Sequence, residues 1–305
     1  LVPIISDAVR SLNKAYPDTY DIFTLETFID LPDGDWAFEW EEAETVEQFV
    51  NELEAIAISK GAEKQPILGA FYDGLYVSTE MHGHSTLFLF ADSLPSDDEP
   101  WNPVEETDAN HLEVPAIENM LAWGQKLVLF ITDPPAAPIN PEDPSMVSLR
   151  RIASVTHGDF IHTSKKQIGS IAKEMINDMH LNENLYIKSD YSCDSEVAVE
   201  LQVHANAIEY KVYFTGSSTG KLYASPTLIS QTPEQEITAA LAVDNFMVFY
   251  VPANLLYIRM VGKGAKSPAC SIRVGIMSDS IALISFSNDP TIDVGQATAT
   301  QGNYS

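Results

Sequence analysis

Apolar and polar positions follow two different rhythms along the chain, and the change falls near residue 183. Before it, helical and extended patterns alternate. Between residues 4 and 16, Ile5, Ala8, Val9 and Leu12 return on one face of a 3.6-residue period and predict an amphipathic helix. YDIFTLETFID (20–30) reads as a strand, LPDGD turns the chain, and DWAFEWEE (35–42) alternates Trp36, Phe38 and Trp40 against Asp35, Ala37, Glu39 and Glu41. The two predict a hairpin. Residues 43–61 form an amphipathic helix, with Thr45 and Gln48 spaced as a capping box and Gly61 placed to end it. A second helix is predicted over 65–81, with Pro66 in its first turn.

STLFLFADS (85–93) and KLVLFITD (126–133) are unbroken apolar runs, the pattern of strands buried on both faces. A helix is expected around 111–123, another over 145–158 stopped by Gly158, a short strand at 159–164 and a closing helix at 165–180. Strands separated by helices in this order predict an open, mostly parallel sheet with helices on both faces. Beyond 183, EVAVELQVH, EYKVYFTG, LYASPTLIS, NFMVFYVP, LLYIRMVGKG, CSIRVGIMS and SIALISFS are short strand candidates separated by turn residues. They predict an antiparallel sandwich. The resulting division is an α/β unit over 1–183, an all-β sandwich over 184–290 and a tail over 291–305.

Composition narrows the functional classes. The 305 residues carry 44 Asp+Glu against 17 Lys+Arg, a formal charge of −27, so nucleic acid and anionic membrane surfaces are poor partners, and basic protein patches or cations are better ones. No run reaches the ~18 apolar residues of a membrane helix. The opening Leu-Val-Pro, with neither an initiator Met nor a signal-like segment, reads as an excised or processed piece of something longer. Cys193 and Cys270 both flank strand-like segments of the β-rich half. That favours a disulfide, and an oxidising secretory compartment, over a buried free pair. Asn303 heads the one N-x-S/T sequon, at the very end.

FTLETFID, the hairpin after it, TVEQFVNELEAI, the helix ending in GLYVS, LFLFADS, KLVLFITD and LRRIASVTHGDFIHTSKKQI together resemble a von Willebrand factor type A domain, and the last stretch looks like the end of that domain in hemicentin-like extracellular proteins. IEYKVYFTG and CSIRV are similar to the β-sandwich that follows it there. The resemblance implies a secreted, non-enzymatic adhesion or matrix protein that binds other proteins, with a structural subunit of a filament or multi-chain assembly as the alternative.

The resemblance also implies a metal site at the carboxyl ends of the parallel strands, built from three loops. Asp92 falls at the last loop's position and Glu63 lies near the second, but no D-x-S-x-S first loop occurs in the sequence. Magnesium or calcium would therefore require an upstream D-x-S-x-S. The alternative for Asp92 is a solvated or capping carboxylate. The family's first strand, central in its sheet, is missing as well. Either polypeptide from elsewhere supplies it, or the strands at 20–30 and 85–92 close up and pair directly. His82 and His84 read as a polar turn before a strand rather than a zinc pair, and His157 and His162 as surface or capping residues. The acidic loop 94–110 reads as solvated. No H-E-x-x-H or phosphate-loop motif is present.

Overall fold

In the computed structural model of the chain, the described residues are 1–17, 23–30, 36–56, 64–65, 67, 71, 85–95, 113–133, 138–140, 143, 146–179, 184–201, 207–227, 233–262 and 269–278. They form a mixed α/β region followed by an all-β region.

The first helix, α1 (Val2–Ala15), starts with Pro3 in its opening turn, where a missing N–H does no harm, and buries Ile5, Ala8, Val9 and Leu12. Strands β1 (Phe23–Asp30) and β2 (Trp36–Ala43) pair antiparallel from Phe23 opposite Ala43 to Asp30 opposite Trp36, which is the predicted hairpin. Helix α2 (Val46–Ala55) is capped as expected: the Thr45 hydroxyl accepts from the Gln48 N–H at 3.2 Å. The reciprocal half of the box is absent, because the Thr45 hydroxyl also donates to Gln48 Oε1 at 3.1 Å.

Two residues each of β3 (Lys64–Gln65) and β5 (Leu94–Pro95) pair in parallel. Strands β4 (Thr86–Ala91), β6 (Lys126–Thr132) and β7 (Asp159–Thr163) form a three-stranded parallel sheet in the order β4–β6–β7. One face packs on α3 (Glu113–Trp123) and α4 (Val147–Val155) through Leu127, Leu129, Ile131, Met120, Leu149 and Ile152. The opposite face packs on α5 (Ile168–Asn177). Of the expected helix over 65–81, the described residues are Gln65, which is extended in β3, and Ile67 and Phe71, which are helical and buried.

Helix α4 does end before Gly158, but Gly158 is not the left-handed residue. That residue is His157, with φ of 61°. Its N–H reaches the Ser154 carbonyl at 3.2 Å and the Gly158 N–H reaches that of Ala153 at 2.9 Å, closing a Schellman turn. Glycine is needed at 158 for space. A Cβ there would stand 1.8 Å from the Leu127 carbonyl oxygen of β6.

The β region is a two-layer antiparallel sandwich. The first sheet contains β8 (Asn184–Ser192), β10 (Ala207–Thr215), β13 (Leu241–Val243), β14 (Phe246–Pro252) and β16 (Ala269–Ser278), ordered β13–β14–β10–β16–β8. The second contains β9 (Glu196–Glu200), β11 (Lys221–Ser225), β12 (Gln235–Ile237) and β15 (Tyr257–Val261), ordered β12–β11–β15–β9. Strands β8, β12 and β13 carried no legible alternation and were not expected. Alternation along β10 sends Tyr210, Val212 and Phe214 into the core between the sheets. Lys211 and Tyr213 go to the other face, where Tyr213, Phe246 and Val248 pack on α5. One apolar cluster therefore joins the parallel sheet, α5 and the first sheet of the sandwich, across residue 183.

Two expectations are corrected. The run 86–91 is not buried on both sides: Thr86 to Phe90 are half-buried, because β4 has β6 as its single neighbour among the described residues. Nor do the strands at 20–30 and 85–92 close up on each other, since β1 and β4 belong to different sheets. Glu63, His82, His84, Asn303, SIALISFS (280–287), the tail and most of the acidic loop lie outside the described residues. Among the described residues no helix is long and apolar enough to cross a membrane.

Candidate functional site

The parallel sheet sends the carboxyl ends of β4, β6 and β7 to one edge, and each apolar strand there gives way to polar residues. Asp92 follows β4, with about half its side chain exposed, and its Oδ2 accepts from Lys165 Nζ at 2.6 Å. Asp133 follows β6. Its Oδ1 accepts from the Ile139 N–H at 2.9 Å and lies 2.8 Å from His162 Nε2, on β7. A third carboxylate comes from the sandwich. Asp244, with φ of 44°, occupies the two-residue Asp244–Asn245 turn that joins Val243 to Phe246. Its Oδ2 accepts from the Ser164 N–H at 2.9 Å, the Ser164 hydroxyl at 2.8 Å and the Thr163 hydroxyl at 2.8 Å.

This edge is thus a row of acidic and basic groups that satisfy one another. The described residues do not fit a hard cation: of the expected ligands, Asp92 is engaged by a lysine, Glu63 is not among them, and no cluster of three metal-ligating side chains is found among them. Asp92 behaves as a paired surface carboxylate. His157 takes the capping role expected of it, and His162 is hydrogen-bonded to Asp133. Asp133 escaped notice, although KLVLFITD repeats the pattern of LFLFAD, an apolar run ending on aspartate. Lys165 and Asp244 carry no such signal, because tertiary packing alone brings them to the edge.

A second group of charges lies where the parallel sheet meets the sandwich. Lys211 is almost fully buried, its Nζ 2.5 Å from both Glu174 Oε1 and Asp178 Oδ2 of α5 and its C-terminal cap. The Tyr213 hydroxyl donates to Asp178 and the Tyr250 hydroxyl to Glu174. Arg273 packs 4.2 Å from the centre of the Tyr213 ring and pairs with buried Asp159 at 2.9 Å. Burial pulls the Lys211 ammonium down, but Asp178 and Glu174 more than offset it, and its pKa ends above the usual lysine value. Lys126 lines a cleft with Thr86, Phe88, Asp159, Met179 and Arg273, and burial, aided by Arg273, pushes its amine down to about 8.

The disulfide is present between Cys193, just after β8, and Cys270, at the start of β16. Both half-cystines are buried in the sandwich core. The bridge ties the first described strand of the sandwich to the last described one, 77 positions apart.

No protein-family model matches the sequence, and no curated protein matches it. Among solved structures, the chain has a likeness to the human COPII-coat protein Sec24c at 10% identity and a TM-score of 0.39, covering 91% of this chain and 41% of that one. It has a fainter likeness to the capsular polysaccharide assembling protein CapF from Staphylococcus aureus, at 8% identity and a TM-score of 0.17, covering 73% and 80%. The chain thus spans well under half the length of Sec24c. Likenesses this distant carry no argument about its fold or function.

Proposed function

We propose that the chain is a secreted, non-enzymatic adhesion or matrix protein. In this reading residues 1–183 form a von Willebrand A-like unit, 184–290 a supporting sandwich and 291–305 a tail. The observation that carries it is the row of polar pairs Asp92–Lys165 and Asp133–His162 at the carboxyl edge of the parallel sheet, with Asp92, Lys165 and Asp133 exposed. Ligands of open α/β sheets gather at that edge, and interspersed charges of both signs suit a protein surface. The Cys193–Cys270 bridge supports an oxidising compartment. The test is attachment of cells to surfaces coated with the chain, comparing wild type with a variant carrying Asp92→Arg and Asp133→Arg. Attachment should fall at least tenfold. Unchanged attachment, or two free thiols in the protein recovered from its source, removes the reading.

The second reading is a subunit of a filament or multi-chain assembly, in which another chain supplies a strand to the sheet. The side of β4 that carries no paired strand among the described residues favours it. Its test is the molar mass of the chain in solution across a concentration series, alone and with its native neighbours.

A further inference from the structure

Two strand edges face one apolar floor without reaching each other. Strand β1 pairs only with β2, and β4 only with β6, among the described residues. Yet Phe23 and Leu25 of β1, and Phe88 and Phe90 of β4, all rest on a single cluster built from Ile5, Val9 and Leu12 of α1, Val50 and Leu53 of α2, and Ile176 of α5. Proteins shield edge strands with charges, prolines or bulges. The sequence TLFLFA has none of these, in a chain with 44 acidic residues. Its phenylalanines and leucines are only half-buried, whereas Leu127, Leu129 and Phe130 of β6 are fully buried.

We propose that the space between β1 and β4 receives an extended strand of another polypeptide, about as long as the six residues of β4, uncharged and apolar on both faces. The requirement for two apolar faces follows from β4 itself. Leu87 and Leu89 pack on the cluster beneath α3 and α4, while Phe88 and Phe90 pack on the opposite side. A strand laid alongside enters the same two environments. Main-chain hydrogen bonds to β4 hold it, and its apolar side chains select it. This inference rests on the assembly reading and gives its contact a place and a chemistry.

The test is amide hydrogen exchange of the full chain, with and without an acetylated SIALISFS peptide, a sequence of the required character that stands at 280–287. In a parallel ladder alternate residues point their N–H groups to opposite sides. Three of the six β4 amides should therefore exchange quickly in the monomer and slow at least tenfold as the peptide saturates. A peptide with alternate N-methyl groups, or with lysine in place of its central isoleucine, should bind at least tenfold more weakly. Exchange at 86–91 that is already as slow in the monomer as at 127–131, or that the peptide leaves unchanged, overturns the proposal. A chain that stays monomeric and still binds the peptide removes the assembly reading and leaves the slot in place.

Discussion

Lys211→Met tests whether buried charge welds the two regions together. Methionine keeps much of the apolar stem of lysine and deletes the cation. Asp178, 9% exposed, and Glu174, 25% exposed, then lose their common partner. Removing one member of a buried pair usually costs about 3–5 kcal/mol. Here the lower end applies, because Tyr213 still donates to Asp178, Tyr250 still donates to Glu174, and water reaches Glu174. For a chain of this size unfolding cooperatively, ~3 kcal/mol lowers Tm by roughly 5 °C. Thermal and urea unfolding followed by circular dichroism would show it. The pH dependence has a defined sign. The folded pKa of Lys211 is raised, so its contribution is complete below the unfolded lysine pKa and disappears as pH rises through the folded value. The stability difference between wild type and Lys211→Met should therefore shrink in strong alkali, as the ammonium is lost, and also in acid, where protonation of Asp178, whose carboxyl pKa burial already raises, removes the uncompensated charge. A triple variant, Lys211→Met with Glu174→Gln and Asp178→Asn, should recover most of the loss, since no uncompensated charge is left. A loss below ~1 kcal/mol for the single variant would refute the reasoning, because that is the scale of an exposed pair.

Replacing Cys193 and Cys270 by alanine releases a loop of 77 positions and should cost about 4 kcal/mol, read as a lower urea midpoint that added dithiothreitol reproduces in the wild type. Lys126, with its amine near 8 and its place in the cleft, should be acylated by an amine-selective reagent at pH 8 before the exposed Lys166 and Lys173, as peptide mapping would reveal. Gly158→Ala forces a Cβ into the Leu127 carbonyl and should destabilise by about 2 kcal/mol or more, whereas His157→Gly, which relieves a left-handed residue, should be neutral or slightly stabilising in the same unfolding assay.

Much of the architecture was legible because burial leaves a period in the sequence. Ile5, Ala8, Val9 and Leu12 marked α1, Thr45 marked the start of α2, and the unbroken runs at 86–91 and 126–132 marked parallel strands. Strand β8 escaped because NLYIKSDYS mixes polar and apolar residues on both faces, and β12 and β13 because three residues are too few to show a period. The candidate site was half legible. Asp92 could be placed at a strand end from its sequence neighbours, but its partner Lys165 lies 73 positions away. Asp244 lies 80 positions from Ser164, in the turn after β13, a strand too short to be read.

The amino-acid order alone determined most of the helical and extended segments, that the two cysteines belong to one β-rich region, and that an apolar strand runs out onto an aspartate. These depend on contacts within a few residues, or on which face of an element is apolar. Tertiary structure decided that Lys211 is buried and paired, that α5 is shared by the parallel sheet and the sandwich, and that β4 pairs with β6 alone among the described residues. A lysine on a strand reads the same whether it meets water or two carboxylates, and TLFLFA reads the same with one neighbour or two. Only the assembled chain brings α5 over β10 and holds β1 apart from β4.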